Sequence, residues 1–213
     1  MIKENIVEYI EQQKIICAVI LQVQKNKLQL LNENNREISL SENRLSHISS
    51  VCLDTSLSRD FIVSQLKQLS QNRKKLSQTI NIKELWEILH EESGDIDLSA
   101  MTIFCFDPPV TTDNEAAVIR AFFYDREYFK FNKTVFIPYT PEQVKARKRQ
   151  IKEAEKREGQ IQRGALWINE VLNNKNGSNT EVDRDIIHIL KSYYLFNNNS
   201  DSHLTARNII KKS

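Results

Sequence analysis

The residues best suited to act on something outside the chain are bases at helical spacing. Between Lys145 and Arg157 the sequence places Lys145, Arg147, Lys148, Arg149, Lys152, Lys156 and Arg157, opposed within the run only by Glu153 and Glu155. Helical residues three and four apart share a face. Lys145, Lys148, Lys152 and Lys156 would therefore form one stripe, with Arg149, Glu153 and Arg157 beside it. Such a stripe can contact phosphates, and the same residues can equally make a solvated face with pairs such as Arg149 and Glu153. Upstream lies an aromatic run, Phe122, Phe123, Tyr124, Tyr128, Phe129, Phe131 and Phe136. Core packing accounts for most of it, because buried aromatic rings are the usual filling of helix and hairpin interfaces. Arg120, Arg126, Tyr128 and Lys130 join Lys145, Lys148, Arg149, Lys152 and Lys156 as candidate contacts to a phosphodiester strand, and Tyr124 is a further ring to test.

Other chemistries find less support. A nucleophilic triad needs a base against a nucleophile and a third group to orient it. His47, His90, His188 and His203 stand in ordinary helical or strand contexts, and no serine lies in a glycine-flanked elbow. Asp95-Ile96-Asp97 and Asp183-Arg184-Asp185 are the nearest approach to a carboxylate cluster, and both read as acidic helix starts. Cys17, Cys52 and Cys105 are far apart and have no histidine nearby, so neither a zinc site nor a redox pair is encoded. No catalytic residue and no metal ligand are therefore assigned.

Composition agrees with a binding chain. The 213 residues are 40% hydrophobic and 27% charged, with 4 Gly and 4 Pro, which excludes collagen-like and wholly disordered chains. Thirty bases against 28 acids leave a net charge of +2, so any nucleic-acid face must be local. Scarce glycine argues against phosphate-cradling loops. Sparse cysteines suit a reducing cytoplasm. The apolar run from Ile15 to Leu21 is too short for a membrane span, so a cytoplasmic chain without a membrane partner is expected.

The elements that must carry these residues read as α+β, mostly helical, in three parts. Residues 1–50 are expected to form a small SH3-like antiparallel β-barrel, with strands at Ile15–Val23, Lys27–Leu31 and Arg36–Leu40 separated by turns at Lys25-Asn26 and Asn32–Asn35. Ile6, Val7, Tyr9 and Ile10 begin or cap that sheet. Residues 58–138 are expected to form a winged-helix-like domain. It opens with an amphipathic helix capped by Ser58, whose basic face carries Arg59, Lys67, Arg73, Lys74 and Lys75. Helices at Ile82–Glu92, Leu98–Phe104 and Glu115–Tyr124 follow, and then a wing over 128–137. Ala116 to Phe123 make the last of these helices too apolar for a groove reader, so it is expected in the core. Residues 141–213 are expected to be a helical extension: a long basic helix opened by Pro141, an Asn-rich break at Asn173–Asn179, and two further helices.

Several stretches resemble the N-terminal region of the bacterial ribonuclease II/ribonuclease R exoribonucleases. They are Glu8-Tyr9-Ile10, Cys17-Ala18-Val19, Leu31–Ile38, Leu85–Leu89 with Glu91-Glu92, Ala121–Phe131 and Phe136-Ile137-Pro138. The resemblance implies relatives that degrade RNA from the 3′ end with magnesium held by a cluster of aspartates. It carries no catalytic residue onto this sequence, which lacks such a cluster. It implies instead a truncated product, one half of a split gene, or an excised N-terminal region. The resulting expectation is a non-catalytic module that binds single-stranded RNA or controls its access to a catalytic domain, encoded separately or downstream, with no cofactor of its own. The alternative is a protein-interaction or regulatory winged-helix module without RNA contact.

Overall fold

The computed structural model describes residues 3–25, 27–91, 94–132, 134–173, 184–199 and 201–213. Asn26 of the expected Lys25-Asn26 turn, Lys133 of the expected wing, Glu92, the Asn-rich linker beyond Asn173, Val182, Asp183 and Ser200 lie outside the described residues. The chain divides into two compact units, residues 1–144 and 145–213.

In the first unit, an antiparallel sheet is built from β1 (Asn5–Glu11), β2 (Lys14–Gln24), β3 (Lys27–Asn32), β4 (Glu37–Leu40) and β5 (Leu45–Cys52), in the order β4-β3-β2-β1-β5. Gln12 and Gln13 turn β1 into β2 with φ of 48° and 61°, the left-handed pair that suits a two-residue hairpin. The strand period of two separates two clusters. Val7, Tyr9, Ile16, Ala18, Ile20, Leu28, Leu30 and Leu45 face one way and pack on one another. Ile6, Cys17, Val19 and Leu31 face the other way and pack on Ile62, Val63 and Leu66 of α1 (Arg59–Gln78). Two covered faces explain why Ile15 to Ile20 is an unbroken buried run rather than an alternating one.

The expected SH3-like barrel is therefore corrected to an open sheet. It has five strands rather than three, and among the described residues its outer strands β4 and β5 do not pair. The two additional strands, β1 and β5, carry acids and serines among their apolar residues, which blurs the alternation that marks a strand.

A winged-helix arrangement follows. It comprises α2 (Ile82–Leu89), β6 (Ile96–Asp97), α3 (Leu98–Cys105), α4 (Thr112–Tyr124), β7 (Phe129–Asn132) and β8 (Val135–Pro138), with strand order β6-β8-β7. Side chains fix the helix starts: Asn81 accepts from Glu84 N–H at 3.3 Å, and Asp97 accepts from Ala100 N–H at 2.8 Å. Thr111 caps α4, in a reciprocal box with Asn114. Phe122 sits edge-on to Phe129 and Phe136 at 4.9 and 4.7 Å, and joins Leu89, Met101 and Val118 in the core of this segment.

In the second unit, α5 (Pro141–Asn173, which begins in the first unit), α6 (Arg184–Phe196) and α7 (His203–Lys212) gather Ile161, Ile189, Ala206 and Ile209 into one small core.

Candidate nucleic-acid interface

The basic stripe lies on α5, and the helix starts where its sequence says it should. Thr140 Oγ1 accepts from Gln143 N–H at 3.3 Å, while Gln143 Oε1 accepts from Thr140 N–H at 2.9 Å, a reciprocal cap just ahead of Pro141. One side of the helix within the second unit is committed to packing. Ile161 is 4% exposed, and a Cβ on Gly164 would come within 2.8 Å of Ile209. Arg157 Nε donates to Thr205 Oγ1 at 3.0 Å, and Lys212 Nζ donates to Glu158 Oε1 at 2.6 Å.

Lys145, Lys148, Arg149, Lys152 and Lys156 fall elsewhere on the same helix. At 3.6 residues per turn they occupy roughly 100° of its circumference, on the side away from Arg157, Ile161 and Ile168. All five are exposed. Among the described residues no ion pair joins Arg149 to Glu153, while Lys148 is not without a partner. Arg157, the edge of the stripe in sequence, is instead fastened to α7.

The remaining candidates belong to the first unit. Arg126 and Lys130 are exposed. Tyr128 is half-buried at the base of the wing, its ring 5.6 Å from Trp86, and its backbone N–H donates to Asp125 Oδ2 at 3.1 Å. Arg120 is a correction: it is 5% exposed, and its Nη2 donates to Glu8 Oε1 at 2.7 Å, so it is not a surface cation. Arg73 leaves the expected basic face of α1 for the same reason. It is fully buried, donating from Nη1 to Glu8 Oε1 at 2.7 Å and from Nε to Asp113 Oδ1 at 2.8 Å.

Glu8 thus joins two guanidinium groups from two helices on one strand carboxylate. Burial alone would lower the Arg73 pKa, but the Glu8 charge and the hydrogen bonds to Glu8 and Asp113 raise it instead. His47 faces Glu8 across the β1–β5 ladder and meets Glu115 Oε2 at 3.3 Å. Burial holds its pKa below the usual histidine value, against the pull of Glu8 and Glu115. Burial also raises the thiols of Cys17 and Cys105, the latter up to about 12, which makes both poor nucleophiles. The groups discounted in the sequence lie apart from this centre: His90 stacks on Trp86 at 4.5 Å, and the carboxyl of Asp97 caps α3. Among the described residues no group of three or more His, Cys, Asp or Glu side chains converges as a metal site, and no helix is long and apolar enough to cross a membrane.

A family model described as a double HTH domain of the RNase II type, HTH_RNase_II, matches residues 144–213. That match covers the second unit and every base of the stripe. It falls outside the stretches that carry the resemblance described above, which all lie before residue 139. Among solved structures, the chain is similar to an active-site mutant of the Dss1 exoribonuclease from Candida glabrata, with a TM-score of 0.47 and 10% identity, over 100% of this chain and 32% of that one. The chain thus spans about a third of that protein's length. No curated protein matches.

The buried Glu8 centre escaped sequence reading. Its signal was an acid inside the apolar run Ile6-Val7-Glu8-Tyr9-Ile10, while the partners Arg73 and Arg120 carry no local mark of burial.

Proposed function

We propose that the chain is an accessory, non-catalytic module of a ribonuclease II-like 3′–5′ exoribonuclease, and that it contacts single-stranded RNA through the basic side of α5. One observation carries this reading: the five exposed bases of the α5 stripe all lie inside the segment matched by the RNase II-type double HTH model. A helix that buries one side in its own unit and presents five cations on another suits a phosphate backbone, and it reads charge rather than sequence. In this reading hydrolysis and magnesium belong to a catalytic domain outside this sequence. The module holds the strand or controls its approach.

The test is a fluorescence-anisotropy titration with labelled single-stranded RNA across a salt series. Each phosphate of a single strand that the protein ceases to neutralise should flatten the dependence of log K on log salt by about 0.7. Lys148→Glu with Arg149→Glu should therefore weaken binding at least tenfold at low salt and reduce the slope by about 1.4. Because both side chains are exposed, helix content by circular dichroism should not change. Undetectable binding at low salt, or a double variant that binds as the parent does, would sink the reading.

A second reading rests on the other end of the same unit. Tyr194, Leu195 and Phe196 at the end of α6 are 87%, 69% and 61% exposed, an apolar cluster of the kind that marks protein contact. A stable complex with a separate catalytic chain, insensitive to reversal of the stripe, would favour a protein-interaction module.

A further inference from the structure

The first unit contains a cleft of about 640 Å³, walled by the start of β2, the C-terminal half of α1 and the end of α4. Its size falls in the range of small-ligand sites. Its lining combines three kinds of group. Lys14 and Lys74 are exposed at the walls, and among the described residues neither forms an ion pair. Tyr124 is 57% exposed, its ring meeting Phe123 edge-on at 5.0 Å. Arg120 lines the cleft as a buried residue, and among the described residues its Nε, unlike its Nη2, has no hydrogen-bond partner. A buried unsatisfied N–H is costly, so this donor is unspent. Among the described lining residues the one acid, Glu33, accepts from the Cys17 N–H through a carboxylate oxygen at 3.3 Å. The local charge is therefore positive, beside an accessible aromatic ring.

We propose that this cleft binds a nucleotide, the phosphate held by Lys14 and Lys74 and the base lying against Tyr124. Cations and an aromatic ring in one cleft select a ligand that has both a charged end and a flat ring. Neither phosphate nor a nucleoside alone would satisfy both. The proposal uses residues and a unit distinct from the α5 stripe, so it stands or falls separately. A free mononucleotide and a single residue of an RNA strand present the same chemistry, and the probes separate them.

The experiment titrates the full chain with AMP, adenosine, inorganic phosphate and oligo(A), following backbone amide shifts by NMR and heats by calorimetry. AMP should bind and shift amides around Lys14, Lys74 and Tyr124. Lys74→Glu and Tyr124→Ala should each weaken AMP at least fivefold, while Tyr124→Phe should retain it and the Lys148→Glu, Arg149→Glu double variant should bind it normally. If the site takes only nucleotides within a strand, AMP will be silent and oligo(A) will bind. Lys74→Glu and Tyr124→Ala must then weaken oligo(A) in the stripe-reversed background. The proposal is overturned if neither AMP nor oligo(A) moves these amides, if adenosine or phosphate alone binds as tightly as AMP, or if Lys74→Glu and Tyr124→Ala leave affinity unchanged.

Discussion

The two units treat charge in opposite ways. The first draws arginines inward: Arg73 and Arg120 leave the surface to meet Glu8 beneath two helices, next to large apolar clusters on both faces of a sheet. The second keeps its bases outside, around a small core of Ile161, Ile189, Ala206 and Ile209, with the buried Thr205 anchoring Arg157. A buried ion centre has one permitted geometry, because any displacement strands a charge in a medium that solvates it poorly. An exposed stripe costs little to hold and is strengthened by whatever anion it meets. The first unit is thus built to be one shape, and the second to present a surface. The contrast also shows that a base in a helix says nothing of its role until its partners are known.

The sharpest way to break that contrast is to remove the shared carboxylate. Glu8→Gln keeps the side-chain shape but leaves two buried guanidinium groups facing a neutral amide, with Asp113 still bonded to Arg73. Loss of one partner from a buried ion pair costs about 3–5 kcal/mol. By contrast, Glu87→Gln, which breaks the exposed pair with Lys83, should cost roughly 0.3–0.5 kcal/mol. Urea denaturation of both variants reads the difference directly. Equal losses would mean that the Glu8 centre is no more than an ordinary ion pair.

Within the second unit, two glycines of α5 should respond in opposite directions. At Gly159 an added methyl would have only Arg163 Nη1 nearby, at 3.7 Å, so Gly159→Ala should gain close to the helix-propensity difference of about 1 kcal/mol. At Gly164 a methyl would lie 2.8–2.9 Å from three atoms of Ile209, a stiff β-branched side chain that cannot swing aside. Overpacking of about 1–3 kcal/mol then opposes the same propensity gain, and Gly164→Ala should lower stability. Thermal melts followed by hydrogen exchange should place both effects in α5 to α7 and leave the sheet amides unchanged. Stabilisation by both substitutions would show that α7 is not held tightly against α5.

How far the sequence discloses this contrast depends on the range of the interactions. The stripe was legible, because helical spacing is local and Pro141 marks where the helix starts. The cap at Ser58 and the acidic helix start at Asp97 were legible for the same reason, since each cap spans three residues. The apolar α4 was expected in the core, and it buries Ala116, Ala117, Val118, Ile119 and Phe122. What escaped was non-local. Strand β6 has two residues and exists because Phe136 and Val135 offer it a ladder. Arg120 pairs with an acid 112 positions away, and Arg73 with the same acid 65 positions away. Their neighbours in sequence, Lys74 and Lys75 for one and Ala121 for the other, point to no such partner. The cleft beside Tyr124 likewise draws on five separate stretches, none of which marks a site by itself.

The smallest effect tests whether burial outweighs the Glu8 and Glu115 carboxylates in setting the charge of His47. His47 is buried on the strand beside Glu8, and its pKa is depressed chiefly by burial. A group that binds its proton less tightly when folded leaves the unfolded chain to take up protons first as the pH falls. Its contribution is therefore intact above the unfolded histidine value near 6.5 and is lost as the pH falls below it toward the folded value. One proton limits the slope to about 1.4 kcal/mol per pH unit. Stability measured between pH 7.5 and 5.5 should fall over the lower half of that window, and His47→Gln should flatten the fall, because glutamine carries no titrating charge. A fall of the same steepness in His47→Gln would assign the acid sensitivity to other groups. It would then be Glu115, which meets His47 at 3.3 Å, that keeps a protonated ring tolerable inside the fold.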